Sequence, residues 1–596
     1  EIPQGSSLTI PEGVTLTNNG TVQNNGALIN NGSIMGGTLG GTGTLGGTGS
    51  IIYTAGDFKL TSGSGLTEGT DYTYSNNTLT IKSSTPTTIS MADGVTQTSQ
   101  DHIVVQNGVT ANITLNNVVI QPPDWPEPQN GAIEVLGNGV LNLTIKGTNS
   151  LFGYCGIYVP MIPADVNAGT VATVATLKIN GGATDSLTAQ GKQYSAGIGG
   201  RSNSACGTVT IEGGIINAIG GDSGAGIGGE NFGGCGTVTI TGGTVTATSS
   251  NAAGIGGGKN GSGGNVVISG GTVTAISDSG AGIGRGINGA AAHGTFSTST
   301  DGTTGSAFII ASSIGNKTNQ NNWSGIIFEG NSGKVYGDQT LSADLTIPNG
   351  NSLEIPQGSS LTIPEGVTLT NNGTLTGTGT ISPDSYKLTA EITGLSDRTE
   401  TYNGGPFTPR YTYTGNDNSK VFVKWYADNG GSKGSQLDVA PTDAGSYYVG
   451  VSAAASGIYK AVDEQTAKFI ITIATQAAPT AAPKEDAIGT DRIKLQTVAA
   501  SAASGAAAEY SKDGGATWQA SPEFGGLSAG TSYTFTVRYA ATGNYAASPA
   551  GPTATISTKP KQDGGSSTSG SSPSSSSTGS SSTGSSSTGS SSTGSS

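Results

Sequence analysis

The sequence predicts an all-β chain: a right-handed parallel β-helix, followed by two antiparallel β-sandwich domains and a disordered linker. Three observations predict it. The motif AGIGG recurs at Ala196, Ala225 and Ala253, with a partial copy at Ala281, a period of 29, 28 and 28 residues. Further along, this rhythm gives way to longer alternating strands rich in aromatic and β-branched residues, separated by polar turns. The composition, 100 Gly in 596 residues with only 11% charged, suits extended chain with polar outward positions better than a helical enzyme.

Within the period the apolar positions fall in phase. They are Ile198, Ile227, Ile255 and Ile283; Val209, Val238 and Val266; Ile211, Ile240 and Ile268; Ile216, Val245 and Val273; Ala218, Ala247 and Ala275. Stacked coils set such positions above one another, about 4.7–4.9 Å apart, so each row becomes an apolar ladder. The right hand follows from the near-universal handedness of parallel crossovers. The pairs Gly213-Gly214, Gly242-Gly243 and Gly270-Gly271 mark tight corners that need positive φ. AGIGG does not read as a nucleotide loop, because no helix pattern follows it.

Taken in order, residues 1–52 are short Asn/Gly/Thr repeats, the end of a solenoid segment. The β-helix is expected over 53–330. Ile113/Leu115, Leu143/Ile145 and Leu177/Ile179 take the place of the Val-x-Ile pair, Gly156-Ile157 that of Gly197-Ile198, and six coils can be counted. The stretch WSGIIF at Trp323–Phe328 is expected to close the core. Residues 331–385 carry an eight-residue repeat (Leu345, Leu353, Leu361) whose three units make one coil of 24 residues. The segment 354–374 repeats 1–21 without a mismatch, which suggests a duplication and a longer array.

Residues 386–474 and 475–560 read as two sandwiches, and 561–596, a run of SSSTG units, as a flexible linker. The pieces TYNGGPFTPRYTYTG, VKWYAD and PTDAGSYYV resemble bacterial Ig-like repeats, and AEYSKDGGATWQ with FGGLSAGTSYTFTVRYAATGNYAAS resembles fibronectin type III modules. The β-helix, through TISMADGVTQTSQDHIVVQNGVTANITLNNVVIQ, LNLTIKGTNSLFGYCGIYV and the AGIGG repeats, is similar to carbohydrate-binding β-helices of Gram-positive surface proteins. Those resemblances imply spacers for the sandwiches, polysaccharide or acidic-sugar binding for the helix, and an extracellular, cell-surface or wall-associated location. Glu1 opens in mid-repeat and a linker joins two things, so a processed fragment lacking a C-terminal wall anchor is expected.

The 25 basic and 39 acidic residues leave a net charge of −14, which repels phosphate backbones and anionic lipid, and nucleic-acid partners are not expected. No apolar run approaches the ~18 residues that would span a bilayer, so membrane insertion is not expected either. Cys206 and Cys235 share a repeat position in consecutive coils, close enough for either a disulfide or two buried thiols, while Cys155 reads as a core residue.

The sequence shows no catalytic constellation, metal site or cofactor motif. His102 and His293 lack ligand-spaced partners and read as solvated loop residues. Arg201 and Glu230, one coil apart, read as a surface ion pair. The ligand-binding candidates are Asp124, Trp125 and Glu127 in the loop QPPDWPEPQNG, where one ring and two carboxylates could meet a sugar. Outward threonine rows (Thr244 and Thr246 over Thr272 and Thr274; Thr208 and Thr210 over Thr237 and Thr239) offer a regular lattice, and Asp222 or Asp278 a calcium ligand. The expected function is a non-enzymatic surface protein displaying a β-helix that binds polysaccharide or matrix glycan. A purely structural stalk and a polysaccharide lyase or hydrolase are the alternatives.

Overall fold

The computed structural model describes residues 1–121, 130–164, 171–201, 204–289, 292–299, 305–318 and 320–562. The expected linker, from residue 563, lies outside them. Two compact units emerge: Glu1–Gly394 with Tyr411–Val423 and Val451–Gln465, and Leu395–Arg410 with Lys424–Gly450 and the chain from Thr466.

The first unit is a parallel β-helix with three sheets, of nine, twelve and eleven strands. One coil runs Ile198–Gly199, Thr208–Ile211, Ile215–Ile219, one strand in each sheet. Coils begin at Thr78–Ile81, His102–Val105, Ile133–Val135, Ile157–Tyr158, Ile198–Gly199, Ile227–Gly228, Ile255–Gly256 and Ile283–Gly284, two more than the six counted from sequence. All five ladders stack in the expected register, for example Ile211↔Ile240↔Ile268 and Ala218↔Ala247↔Ala275. Their side chains are essentially inaccessible. Ile157 pairs with Ile198, as Gly156-Ile157 implied. The upstream register differs by one pleat: Leu177 and Ile179 lie over Leu141 and Leu143, not over Leu143 and Ile145. A shift of two keeps the same residues inward, so the core accepts it and alternation cannot reveal it.

The glycine pairs turn as expected, with Gly214, Gly243 and Gly271 at φ of 87°, 82° and 78°. A Cβ on Gly243 would lie 2.6 Å from the Gly214 carbonyl oxygen below it.

The first 52 residues wind smaller coils into the same core: Leu8↔Leu28↔Leu45 and Leu16↔Ile34↔Ile51. Their corners are held by buried asparagines. Asn24 accepts the Gly26 N–H at 3.2 Å and donates to the Thr44 carbonyl at 2.9 Å. Asn18 accepts from Gly20 and donates to Thr38 in the same way. The NNG motif thus satisfies backbone groups that a tight buried corner would otherwise orphan. Phe58–Ser62 joins these coils to the larger ones, antiparallel to both Ser50–Ala55 and Thr87–Met91. Phe58 and Leu60 point into the common interior, so one core spans the junction.

The expected closure at WSGIIF is a handover between two cores. In Gly325–Glu329, Ile327 faces the first core while Ile326 and Phe328 face a second, built from Val335, Leu345, Leu353, Leu361 and Ile381. The strand is therefore buried on both sides, and its antiparallel partner Ser332–Tyr336 reverses the strand direction on entry to the 338–382 coils. There the eight-residue units occupy three different sheets, and Leu345 stacks on Leu369, one 24-residue coil later. Trp323 packs edge-on against Phe296 with ring centroids 4.9 Å apart.

The span 386–474 contributes to both units. Ile458, fully buried, belongs to the second solenoid core, and the Leu388 N–H donates to its carbonyl. In the other unit Trp425 meets Phe469 edge-on at 5.2 Å. One pair in this sheet is parallel, Arg398–Thr401 with Val462–Thr472, where an antiparallel sandwich was expected. Residues 485–557 form two three-stranded antiparallel sheets over one core of Ile493, Leu495, Tyr510, Phe524, Phe535 and Val537.

Two stability measurements check this architecture. Ile240→Asp buries an unpaired charge inside a ladder and is expected to cost roughly 3–5 kcal/mol in chemical denaturation; a loss under about 1 kcal/mol would place Ile240 outside the core. Ile327→Ala and Phe328→Ala are each expected to cost about 2–5 kcal/mol. Hydrogen exchange should separate them, with faster exchange in 283–311 for the first and in 333–382 for the second. Identical patterns would contradict a strand shared by two cores.

Candidate functional site

Asp124, Trp125 and Glu127 lie in 122–129, outside the described residues. The described residues on either side of that span are tied down, one beside the third sheet and one to the first. Gln121 N–H donates to the Thr98 carbonyl at 2.9 Å, and Gly131 N–H to a Glu134 carboxylate oxygen at 2.8 Å.

Next to Gly131 stands a cluster that sequence reasoning missed. Glu134 is the central residue of Ile133–Val135, pointing away from the core yet only 6% exposed. Tyr158 pairs with it in the next coil and Gly199 with Tyr158 in the one after, so the three positions form one column. Arg201, two residues beyond Gly199, folds back over that column. Its Nη1 lies 2.5 Å from the Glu134 Oε1, and its guanidinium sits 4.5 Å above the Tyr158 ring. Ser204 fixes the arginine turn, accepting the Arg201 N–H at 3.2 Å and donating to its carbonyl at 2.7 Å.

The surface pair expected between Arg201 and Glu230 is corrected in kind. Glu230 is 3% exposed and so is not a surface group, and Arg201 binds the Glu134 carboxylate, 67 positions away in sequence. Only the stacking of irregular early coils brings these together, and no local spacing signals it.

His102 is likewise not a solvated loop residue. It opens the strand His102–Val105, half-buried, with Nε2 3.4 Å from both Thr78 Oγ1 and Asn130 Nδ2. Burial holds its pKa below the ordinary 6.5, against the pull of Glu134 and Asp101. His293 is also partly enclosed, its Nδ1 buried against Gly315. Burial pushes the Tyr158 phenol up.

All three cysteines are free thiols. Cys155 sits beside the cluster, its thiol 3.1 Å from the Ala196 and Gly200 carbonyls, and burial raises its pKa well above the usual value. Burial raises Cys206 to about 12 and Cys235 well above its ordinary value, which leaves neither a reactive thiolate.

A carboxylate, a guanidinium, a phenol and an imidazole in one place can support proton transfer. Here the Glu134 carboxylate is already committed to Arg201 and the Gly131 N–H, and it ties three consecutive coils together.

The outward rows on the other two sheets stand as expected. Thr244 and Thr246 lie over Thr272 and Thr274, and Thr208 and Thr210 over Thr237 and Thr239. Asn217 and Asn265 extend them, next to Thr246 and Thr237, and farther upstream, beyond Lys178, Asn142 donates to Asn112 Oδ1 at 2.9 Å. Asp222 bonds Ser223 and Asn251, and Asp278 is exposed; among the described residues no three His, Cys, Asp or Glu side chains converge as for a metal. A cavity of about 380 Å3 opens where the small coils meet the large ones, lined by Leu28, Leu39, Leu45, Tyr53, Leu66 and Asp71 among others. Among the described residues no helix is long and apolar enough to cross a membrane.

A family model described as a beta helix repeat matches residues 209–234, 238–259 and 266–284. These are the regular coils. No curated protein matches the chain. Among solved structures, the chicken CNTN1 FN1–FN3 domains are similar at 14% identity and a TM-score of 0.13, over 28% of this chain and 64% of that one. The match therefore spans less than two thirds of that structure's chain.

Two measurements test the cluster. Arg201→Ala leaves Glu134 buried without its counter-ion and is expected to cost about 3–5 kcal/mol by urea denaturation, with Arg201→Lys recovering only part because it lacks the planar stack on Tyr158. The His102 pKa is lower folded than unfolded, so its contribution is complete above about 6.5 and is lost as pH falls through the folded value. His102→Gln is expected to lose less melting temperature than the parent between pH 7.5 and 5.5, and parallel curves would place His102 in solvent.

Proposed function

We propose that this chain is a non-enzymatic secreted or cell-surface protein whose rigid β-helix binds polysaccharide or matrix glycan, with the sandwich modules as spacers. The observation that carries this reading is the outward register of the second and third sheets. Threonine and asparagine side chains repeat there at the strand spacing, about 4.7–4.9 Å, and the ladders beneath hold them in place. An array of hydroxyls and amides on a preformed surface meets a hydroxyl-rich polymer with little ordering cost.

Two further features support binding over chemistry. The best-placed carboxylate, Glu134, is neutralised and covered by Arg201, and the buried thiols are held as neutral groups. The sequence places Trp125 between Asp124 and Glu127, a ring flanked by hydroxyl acceptors.

A polysaccharide-cleaving enzyme is the second reading, favoured by the convergence of Glu134, Arg201, Tyr158 and His102. The two separate cleanly. On a glycan array the chain is expected to retain a restricted set of polysaccharides, with affinity reduced in Trp125→Ala and the melting temperature nearly unchanged. Reducing-end and unsaturated-product assays on pectin and xylan are expected to stay at background. Product formation that disappears in Glu134→Gln would establish the enzyme instead, and an empty array would leave the stalk.

A further inference from the structure

Among the described residues, three successive coils make one corner with a left-handed residue, four positions after the glycine that ends the first-sheet strand. Phe232, Asn260 and Asn288 hold φ of 65°, 66° and 59° there. Asparagine tolerates this backbone better than other side chains, whereas a bulky residue is a genuine outlier. The repeat writes Asn at 203, 260 and 288, and Phe at 232. Phe232 gains no core packing in exchange, because it is 67% exposed. Strain kept without a packing return points toward function.

A second exposed ring belongs to the loop that is hydrogen-bonded to this corner. Tyr194, 47% exposed, sits on the preceding coil, and its carbonyl accepts the N–H of Asn231, the neighbour of Phe232, at 3.2 Å. The corner is rigid: Phe232 N–H donates to the Lys259 carbonyl at 2.7 Å, and the Asn260 side-chain amide to Asn231 Oδ1 at 3.0 Å. Two exposed aromatic rings thus stand beside a short ladder of side-chain amides.

We propose that Tyr194 and Phe232 form a stacking platform for an uncharged hexose unit of a glycan chain, with the Asn231 and Asn260 amides meeting its hydroxyls. The proposal rests on the carbohydrate-binding reading and gives it a place on the described surface. A pyranose presents a C–H face and a rim of hydroxyls, which matches rings beside amides. A protein partner of ordinary size needs roughly 800 Å² on each side, far more than two rings supply. The net charge of −14 disfavours polyanionic chains, which selects uncharged sugars.

The test uses the full chain and a panel of cello-, xylo-, manno- and chito-oligosaccharides, with affinity by calorimetry and melting temperature alongside. Phe232→Asn installs the residue the repeat uses at this corner, so its melting temperature is expected to equal or exceed that of the parent. Its affinity for the best parent ligand is expected to fall at least tenfold. Tyr194→Ala is expected to weaken the same ligand, and Phe232→Trp to retain it. Binding by the parent that survives unchanged in both Phe232→Asn and Tyr194→Ala overturns the platform and leaves the carbohydrate reading standing. A parent that binds nothing in the panel overturns the platform together with that reading.

Discussion

Every coil of this protein must return to within one strand spacing of the coil before it, and that closeness of backbone to backbone governs the rest. Its sharpest expression is the glycine column in the first sheet. Gly199, Gly228 and Gly256 adopt φ near 140°, and a Cβ on each would lie 2.0, 1.9 and 1.8 Å from the carbonyl oxygen of the next glycine in the stack. No side chain fits there, so AGIGG is a steric requirement of the regular coils. Where the column holds Tyr158 and Glu134 instead, neither residue has the positive φ, and side chains stand outward where the regular coils have only glycine. The charged cluster grows in that space.

The close stack also explains which features were legible in the sequence. A fixed period forces fixed inward positions, so Ile211, Ile240 and Ile268 could be aligned by spacing alone, and the structure pairs them directly. The register of Leu177 over Leu141 was not legible, because a displacement of one full pleat preserves every inward residue. Glu134 and Arg201 were illegible for a different reason: their meeting depends on loops of irregular length between coils, which no periodicity encodes. Trp125 lies outside the described residues, and Tyr194 and Phe232 are outward residues among many. The available signal was Phe at a corner where the repeat otherwise writes Asn.

The handover at Gly325–Glu329 follows from the same alternation. A strand has two faces, and GIIFE fills both with apolar side chains, which an ordinary solenoid strand cannot do without exposing one. A second core on the far side resolves this. The hairpin that follows reverses strand direction at the moment the interior changes side, so the winding continues over a new core. The sequence announced the burial at WSGIIF but not its two-sidedness, because four buried residues in a row read equally as a cap.

Solenoid coils touch only their neighbours, and this makes the outer surface separable from the core in energetic terms. A strained corner costs on the order of 1–3 kcal/mol locally, a loss that the ladders on either side absorb without passing it along the stack. An exposed aromatic residue can therefore occupy a left-handed corner such as that of Phe232 while Ile227 and Val238 keep their places in the ladders. The buried column is different: Glu134 reaches across three coils to Arg201, so changes there are felt in every coil it spans. The corners are thus where this architecture can acquire recognition at small structural cost, and the inter-coil ion cluster is where it cannot.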